Sequence, residues 1–199
     1  MDHRAELVRE RIRDSISMKR RLQEDATMTA LVLRAADVMS QALEGGGRVL
    51  FCGNGGSAAD AQHFAAELCG RFLADREPLD AEALHVNTSC ITAVANDYGY
   101  EEVYARLVRA KGRPGDVLVG LSTSGNSPNV VRAFEAAHSA ALSTIGLTGE
   151  GGGALAGLSD VLIAIPSRSA PRIQEGHLLV GHILCELVET ACGSRGGRE

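Results

Sequence analysis

The chain has 199 residues, with 20 Lys and Arg against 25 Asp and Glu, a net charge of −5 and a pI of about 5.7. This length predicts a single domain over residues 1–199, and the acidic balance argues against a general nucleic-acid or membrane-binding surface. The N-terminus is charged, and no apolar run approaches the ~18 residues of a membrane span, so we expect a cytoplasmic protein. The five cysteines are odd in number and lack C-x-x-C spacing, which predicts neither a disulfide framework nor a zinc knuckle.

Residues 1–46 predict two helices before any strand. The first covers residues 5–22 with a thin apolar stripe, and the second begins at Asp25 or Thr27 and ends at Leu43, before three glycines. Two helices ahead of the first strand cannot belong to a βαβ unit. We therefore expect them to pack on a partner subunit or across the domain.

Residues 47–192 predict an α/β core, and residues 193–199 a disordered tail. Helices alternate with five apolar strands, which predicts a three-layer α-β-α sandwich around a parallel five-stranded sheet. The last helix is predicted from Ile173 to Cys192. The predicted strands are Val49–Phe51, Ala83–Val86, Val117–Leu121, Leu142–Thr148 and Val161–Ile165.

The first strand leads into the glycine turn Gly53–Gly56 and then a helix, which Ser57 or the glycines can cap. Free backbone N–H groups at a helix N-terminus suit a phosphate. The glycines also match a dinucleotide pattern, but the second strand ends in Asn87-Thr88-Ser89 and offers no ribose-binding carboxylate. No Lys-Ser or Lys-Thr follows, which excludes a P-loop. The turn therefore predicts a small phosphorylated ligand.

His63 and Glu67 lie four residues apart on the helix that follows, about 40° apart around its axis and roughly 6 Å along it. An imidazole and a carboxylate on one face could share a metal ion or a proton transfer. The alternative is a solvated ion pair.

A second candidate anion cradle follows the third strand, at Ser122-Thr123-Ser124-Gly125-Asn126-Ser127-Pro128. Ser127 as N-cap and Pro128 at the first helical position predict that a helix begins here. The hydroxyl groups are placed where open α/β sheets bind ligands, so we expect phosphate binding, with ordinary capping as the alternative. Asn96 and Asp97 end a predicted short helix from Ser89 to Ala95 and by themselves indicate only a turn.

Four motifs in the same order resemble the phosphoheptose isomerase family, whose fold is the sugar isomerase (SIS) domain. They are CGNGGSAADAQHFAAEL from Cys52, VANDYGY from Val94, LSTSGNSPN from Leu121 and RIQEGH from Arg172. The resemblance extends from about Leu31 to Glu189. It implies an aldose–ketose isomerase that converts sedoheptulose 7-phosphate to D-glycero-D-manno-heptose 7-phosphate through an enediol, the first step of nucleotide-activated heptose biosynthesis. It also implies a homotetramer, and thus N-terminal helices that pack on a partner subunit.

The resemblance implies a role for each matching residue. Glu67 and His182 would carry the proton transfers, and one zinc ion per subunit would be held by His63, Glu67, Gln174 and His182. The sugar hydroxyls would contact Asn54, Gly55, Gly56, Asn96 and Asp97, with Ser57, His63, Glu67 and Gln174 also touching the substrate. The phosphate would contact Ser122, Thr123, Ser124 and Ser127.

Helix geometry alone would not select this metal set, because Gln174 and His182 lie about 12 Å apart along an ideal helix. Either Gln174 lies on a non-helical segment after Pro171, or neighbouring subunits contribute ligands. His177 is the local competitor for the metal. Some family members carry an acidic residue where Pro171 stands here.

The alternative function is a non-catalytic SIS protein that binds a replication-initiation partner. Such relatives keep the glycine turn and the hydroxyl loop but tend to lose the acid and base. Glu67 and His182 are both present here, which favours the enzyme.

Overall fold

The computed structural model describes residues 2–193, which form α-helices around one five-stranded sheet. Of the predicted tail 193–199, Gly193 belongs to the last helix, and residues 194–199 lie outside the described residues. The helices are α1 (His3–Glu24), α2 (Ala26–Glu44), α3 (Gly56–Cys69), α4 (Thr88–Tyr98), α5 (Val103–Lys111), α6 (Pro128–Ser139) and α7 (Ala170–Gly193). The strands are β1 (Val49–Gly53), β2 (Ala81–Ala83), β3 (Val117–Ser122), β4 (Ser143–Thr148) and β5 (Val161–Ala164).

The sheet has the strand order β2-β1-β3-β4-β5, and every neighbouring pair is parallel. The chain runs outward from β1 to β2 and then returns to β3 on the other side of β1. This reversal opens a crevice between the carboxyl ends of β1 and β3, where doubly wound sheets bind ligands. The glycine turn and the hydroxyl loop both leave the sheet at this crevice.

Alternate residues of the central strands face two separate apolar cores, which confirms the predicted three-layer architecture. Val49, Phe51 and Val119 pack with residues of α2, α3 and α7. Leu50 and Leu118 pack on the opposite face with residues of α5 and α6. All residues of β1 and β3 are buried, as expected for inner strands of a parallel sheet covered on both faces.

The predicted boundaries of the second strand and of α4 are wrong. The second strand covers Ala81–Ala83 and not Ala83–Val86, because Leu84–Val86 turns into a 3-10 helix after only three residues have paired with β1. Helix α4 does not stop at Ala95 but includes Asn96 and Asp97. Gly99 ends it, with a φ of 92° that favours glycine.

Helix α7 begins at Ala170, three residues before the predicted start. Pro171 fits the first turn, because its fixed φ is helical and a first-turn N–H needs no partner within the helix. Gln174 is therefore helical, and a non-helical segment after Pro171 is ruled out.

The two N-terminal helices differ in how they pack. Asp25 caps α2 as predicted, since its side chain accepts hydrogen bonds from the N–H groups of Thr27 and Met28. Helix α2 lies against α7 and the sheet, and so packs across the domain. In α1 only Met18 and Leu22 are buried, and the first half exposes the apolar side chains of Leu7, Val8, Ile12 and Ile16. Within residues 2–193, no helix combines the length and apolar character needed to span a bilayer.

Candidate active site

The glycine turn after β1 depends on glycine at two positions. Gly55 is the N-cap of α3 and has a φ of 55°, which L side chains rarely adopt. A Cβ at Gly53 would lie 2.7 Å from the carbonyl oxygen of Ser57. No side chain caps α3, so Ser57 does not have the capping role that the sequence allowed. The helix thus presents backbone N–H groups at the crevice, which suits an anionic or hydroxyl-rich ligand.

Asn54 is held by a hydrogen-bond network that sequence reasoning missed. Its Nδ2 donates to Oδ1 of Asn129 at 2.8 Å, and Nδ2 of Asn129 donates back to Oδ1 of Asn54 at 2.8 Å. Asn129 is only 2% exposed. The Tyr100 hydroxyl also donates to Oδ1 of Asn54, at 3.2 Å. No local pattern points to these partners, because they lie 75 and 46 residues away along the chain.

The hydroxyl loop after β3 has the predicted helix start, with Ser127 as N-cap and Pro128 in the first turn of α6. The Ser127 side chain does not cap the helix, and its Oγ lies 2.8 Å from Oγ of Ser122. The Asn126 N–H donates to Oγ of Ser124 at 3.1 Å. The Ser127 hydroxyl therefore does not make the ordinary capping hydrogen bond. At the crevice, Ser124 is exposed, and Thr123 and Ser127 are half-buried.

The amide pair joins the two cradles, because Asn54 belongs to the glycine turn and Asn129 to the first turn of α6. Gln174 approaches the same place from α7: a Cβ at Gly56 would lie 2.7 Å from its Nε2. The structure therefore brings Asn54, Gly56, Gln174 and the hydroxyl loop to one crevice. Asn96 and Asp97 are exposed in the last turn of α4, where Nδ2 of Asn96 donates to Oδ1 of Asp97 at 2.8 Å.

His63, Glu67 and His182 form a second group, with ligand atoms that all lie within 4.8 Å of one another. The Nε2 atoms of His63 and His182 are 2.8 Å apart, and Nε2 of His63 lies 3.4 Å from Oε1 of Glu67. The Glu67 side chain is 23% exposed and that of His63 is 42% exposed. Helices α3 and α7 can approach this closely because residue 181 is glycine, where any Cβ would overlap the Phe64 ring.

This group fits zinc by donor chemistry and by position. Two imidazoles and one carboxylate are a usual protein ligand set for Zn²⁺ and leave a fourth position for a further ligand. Among the His, Cys, Asp and Glu residues of the described chain, this is the one cluster of three or more with suitable spacing. Burial raises the pKa of the neighbouring Asp60 carboxyl above its usual value, although the charges of His63 and His182 act against that rise.

His177 does not belong to this group. It is fully buried, and its Nε2–H donates to the Thr148 carbonyl oxygen at 3.0 Å. Burial lowers its pKa to about 4, so its imidazole is neutral and serves the packing of α7 on β4. The predicted competition between His177 and His182 for a metal is therefore not seen within the subunit.

The cradles and the candidate metal group lie at different points along α3. Gly56 begins the helix, His63 follows about 10 Å further along the axis and Glu67 about 16 Å further. Within one subunit, the crevice thus holds Asn54, Gly56, Gln174 and the hydroxyl loop, and the second group holds His63, Glu67 and His182. The predicted metal ligand Gln174 therefore lies with the first group, beside Gly56.

Comparison with known proteins assigns the chain to a family. A family model described as the SIS domain matches residues 15–149. The phosphoheptose isomerase of Rhodospirillum rubrum is 58% identical over 160 residues, which is 80% of this chain and 85% of the relative. That of Helicobacter hepaticus is 49% identical over 174 residues, or 87% of this chain and 89% of the relative.

Solved structures agree. The structure of a phosphoheptose isomerase from Neisseria gonorrhoeae has a TM-score of 0.88 and 44% identity, and covers 94% of this chain and 98% of its own. That from Francisella tularensis has a TM-score of 0.90 and 37% identity, with the same coverage. These matches confirm the resemblance and the predicted fold: the chain belongs to the phosphoheptose isomerase family of SIS-domain proteins.

Proposed function

We propose that the chain is an aldose–ketose isomerase that converts sedoheptulose 7-phosphate to D-glycero-D-manno-heptose 7-phosphate, and so starts the synthesis of nucleotide-activated heptose. The observation that carries the proposal is the meeting of Glu67, His63 and His182 in the same subunit as the crevice of the glycine turn and the hydroxyl loop. Relatives with 49–58% identity bear the name phosphoheptose isomerase.

The reaction moves one proton between C1 and C2 and leaves the phosphate untouched. Glu67 would take the proton from C1 of the ketose and return it to C2, and His182 would move a proton between the two oxygens of the cis-enediol. Ser122, Thr123, Ser124 and Ser127 would hold the phosphate, while Asn54, Gly55, Gly56, Asn96, Asp97 and Gln174 would orient the sugar. A zinc ion held by His63, Glu67, Gln174 and His182 would supply a Lewis acid for the substrate carbonyl.

We further propose a homotetramer in which a neighbouring subunit helps to complete the site. The position of Gln174 supports this: within the subunit it lies beside Gly56 and not beside the His63–Glu67 pair, about 10–16 Å further along α3, so a fourth metal ligand can come from a neighbouring subunit. The exposed apolar residues of α1 and α2, such as Ile12 and Leu33, also support contacts between subunits. A cytoplasmic location agrees with the buried free thiols of Cys52 and Cys185.

The direct test is incubation of the purified protein with sedoheptulose 7-phosphate, followed by NMR of the product. We expect signals of a heptose 7-phosphate to replace those of the ketose. No conversion under conditions where the phosphorylated sugar binds would overturn the isomerase. The alternative, a replication-initiation partner protein, finds no support in the named relatives.

The zinc proposal has its own test. Protein purified without chelator should contain about one zinc per subunit by elemental analysis, and His63→Ala should lose it because two of the three clustered donors then remain. His138→Ala is the matched control, since His138 lies on α6, away from this cluster. Full occupancy in the His63→Ala protein would mean that the metal is held elsewhere.

A further inference from the structure

A buried carboxylate on α7 fixes the loop between α3 and β2. Glu189 is 4% exposed, and its Oε1 accepts a hydrogen bond from the Phe72 N–H at 2.9 Å. Its Oε2 accepts from the N–H groups of Leu73 and Ala74, both at 2.8 Å. Burial opposes the charge on Glu189, but these three donors and Arg76 outweigh it and lower the carboxyl pKa. The carboxylate therefore holds three consecutive peptide groups of the loop.

Arg76 completes this arrangement from the other side of the loop. Its side chain and that of Glu189 are each 5% exposed, and Nε of Arg76 lies 3.3 Å from Oε1 of Glu189. Its Nη2 donates to the carbonyl oxygen of Glu67 at 3.0 Å, and its Nη1 to those of Gly70 and Glu77 at 3.3 and 3.0 Å. A buried cation thus binds the carboxyl end of α3, where the helix dipole favours it. The pair joins the end of α3 to α7.

The loop held in this way places an aromatic ring on His182. The Phe72 ring stacks on the imidazole, with centroids 5.5 Å apart and planes inclined by 30°. The His63 ring meets His182 edge-on at 5.1 Å and 72°, and Phe64 does so at 6.2 Å and 78°. Three rings therefore surround the imidazole of His182, and Phe72 is the one that covers its face.

Glu189 and His182 lie on one face of α7. Glu189 follows His182 by seven residues, which places it about 10 Å further along the helix and about 20° around it. These contacts form a closed circuit. Glu189 binds the Phe72 backbone, the Phe72 ring stacks on His182, and His182 and Glu189 belong to the same helix. Phe72 itself is only half-buried, so its ring adds less to the core than a buried phenylalanine would. Among the described residues, the ring contact recorded for Phe72 is with the imidazole of His182.

We propose that Phe72 is a positioning residue that fixes the imidazole of His182 towards His63 and Glu67, and that the buried Arg76–Glu189 pair holds Phe72 in place. This inference rests on the proposed isomerase function. An aromatic face on the ring restricts its rotation, so that one nitrogen stays directed at the cluster. Because Phe72 lies away from the phosphate cradle, its loss should affect turnover and leave substrate binding nearly unchanged.

The test compares Phe72→Leu with Leu73→Ala. Leu73 is the next residue of the same loop, and its side chain is 67% exposed, so its truncation controls for general changes in the loop. We expect Phe72→Leu to lower kcat about tenfold or more with KM within about twofold, since small misplacements of catalytic groups have effects of this size. Phe72→Tyr, which keeps the ring, should restore kcat to near the wild-type value. Equal kcat values for Phe72→Leu and Leu73→Ala would overturn the proposal.

A spectroscopic measurement separates this inference from the isomerase itself. In protein with labelled histidine, the ring protons of His182, assigned through His182→Gln, should lie upfield because of the stacked Phe72 ring. They should move downfield in Phe72→Leu and in Glu189→Gln, but not in Leu73→Ala. A shift in a wild-type protein without isomerase activity would support the positioning and overturn the function. Unshifted His182 signals in a folded Phe72→Leu protein would overturn the positioning, whatever the activity; if Glu189→Gln does not fold, Phe72→Leu decides.

Discussion

Glu67 and His182 come together beside His63 from two different helices. Among residues 2–193, the His63 cluster contains one carboxylate, that of Glu67, and one further imidazole, that of His182. Replacing Glu67 by Gln keeps the size of the side chain but removes the base. General acid–base catalysis is typically worth about 10²–10⁴-fold, so kcat should fall at least about a hundredfold in steady-state assays with sedoheptulose 7-phosphate. KM should change much less, because we propose that the hydroxyl loop, and not Glu67, holds the phosphate.

Glu186→Gln is the matched control for that experiment, since Glu186 is an exposed glutamate on α7 outside the cluster. It should behave as the wild type. Normal turnover by Glu67→Gln would show that the base lies at another residue.

Ser124 is exposed in the loop that follows β3. Its Oγ accepts a hydrogen bond from the Asn126 N–H, so its hydroxyl proton can be donated to a phosphate oxygen. Ser124→Ala should weaken binding of sedoheptulose 7-phosphate by about 1–3 kcal/mol, or roughly five- to 150-fold in Kd. Calorimetry in the Glu67→Gln background measures binding without turnover. Ser139→Ala, at the exposed end of α6, is the control; equal affinity of the two variants would place the phosphate elsewhere.

At the scale of elements, the packing of α7 on β4 should depend on pH through His177. Burial lowers its pKa to about 4, whereas an unfolded histidine titrates near 6.5. Between these values the unfolded chain binds a proton that the folded chain does not, so the free energy of unfolding falls as pH falls. The loss should reach about 3 kcal/mol on going from pH 7 to pH 4.

Urea denaturation at several pH values measures this loss. His177→Gln keeps a donor for the Thr148 carbonyl oxygen but does not titrate, so its stability should vary less between pH 4.5 and 7. The lowered pKa of Glu189 does not interfere in this range, because its contribution is lost only as pH falls through its folded pKa, below the ordinary value of 4.5. An unchanged pH profile in His177→Gln would assign the effect to other groups.

The elements that could be predicted from the sequence are those whose signals are local. Asp25, Ser127 and Pro128 mark helix starts by their own chemistry, and the apolar runs of β1 and β3 are long enough to identify inner strands. The predicted position of the second strand was wrong because only three of its residues pair with β1, and so short a strand leaves no clear apolar run in the sequence. The end of α4 was misplaced because Asn96 and Asp97 are tolerated in a last turn that Gly99 closes.

The site divides in the same way. The two candidate cradles could be proposed from the sequence because each consists of consecutive residues between a strand and a helix. The grouping of His63 with His182 came only from the family resemblance, since 119 residues separate them. Asn129, Phe72 and Glu189 could not be found at all, because their roles depend on contacts made after the chain has folded.

At the scale of the whole molecule, the exposed apolar surface predicts that this chain forms an oligomer. Leu33 of α2 and Ile183 of α7 are 49% and 37% exposed beside a groove of about 420 Å³ between α1, α2 and α7. We expect a tetramer by light scattering, and we expect Ile183→Glu to shift it towards smaller species because a charge would be buried in the contact. Glu186→Gln should leave the assembly intact; a wild-type monomer would contradict the prediction.

The amide pair between Asn54 and Asn129 also limits how this site can be altered. Each side chain supplies both a donor and an acceptor to the other, so neither loop can change its partner residue without leaving the other unsatisfied. Substitutions in the glycine turn and at the start of α6 should therefore be non-additive when combined. Anyone who wishes to adapt the crevice to a shorter or longer sugar must redesign both loops as one unit, and natural variation in one should be accompanied by variation in the other.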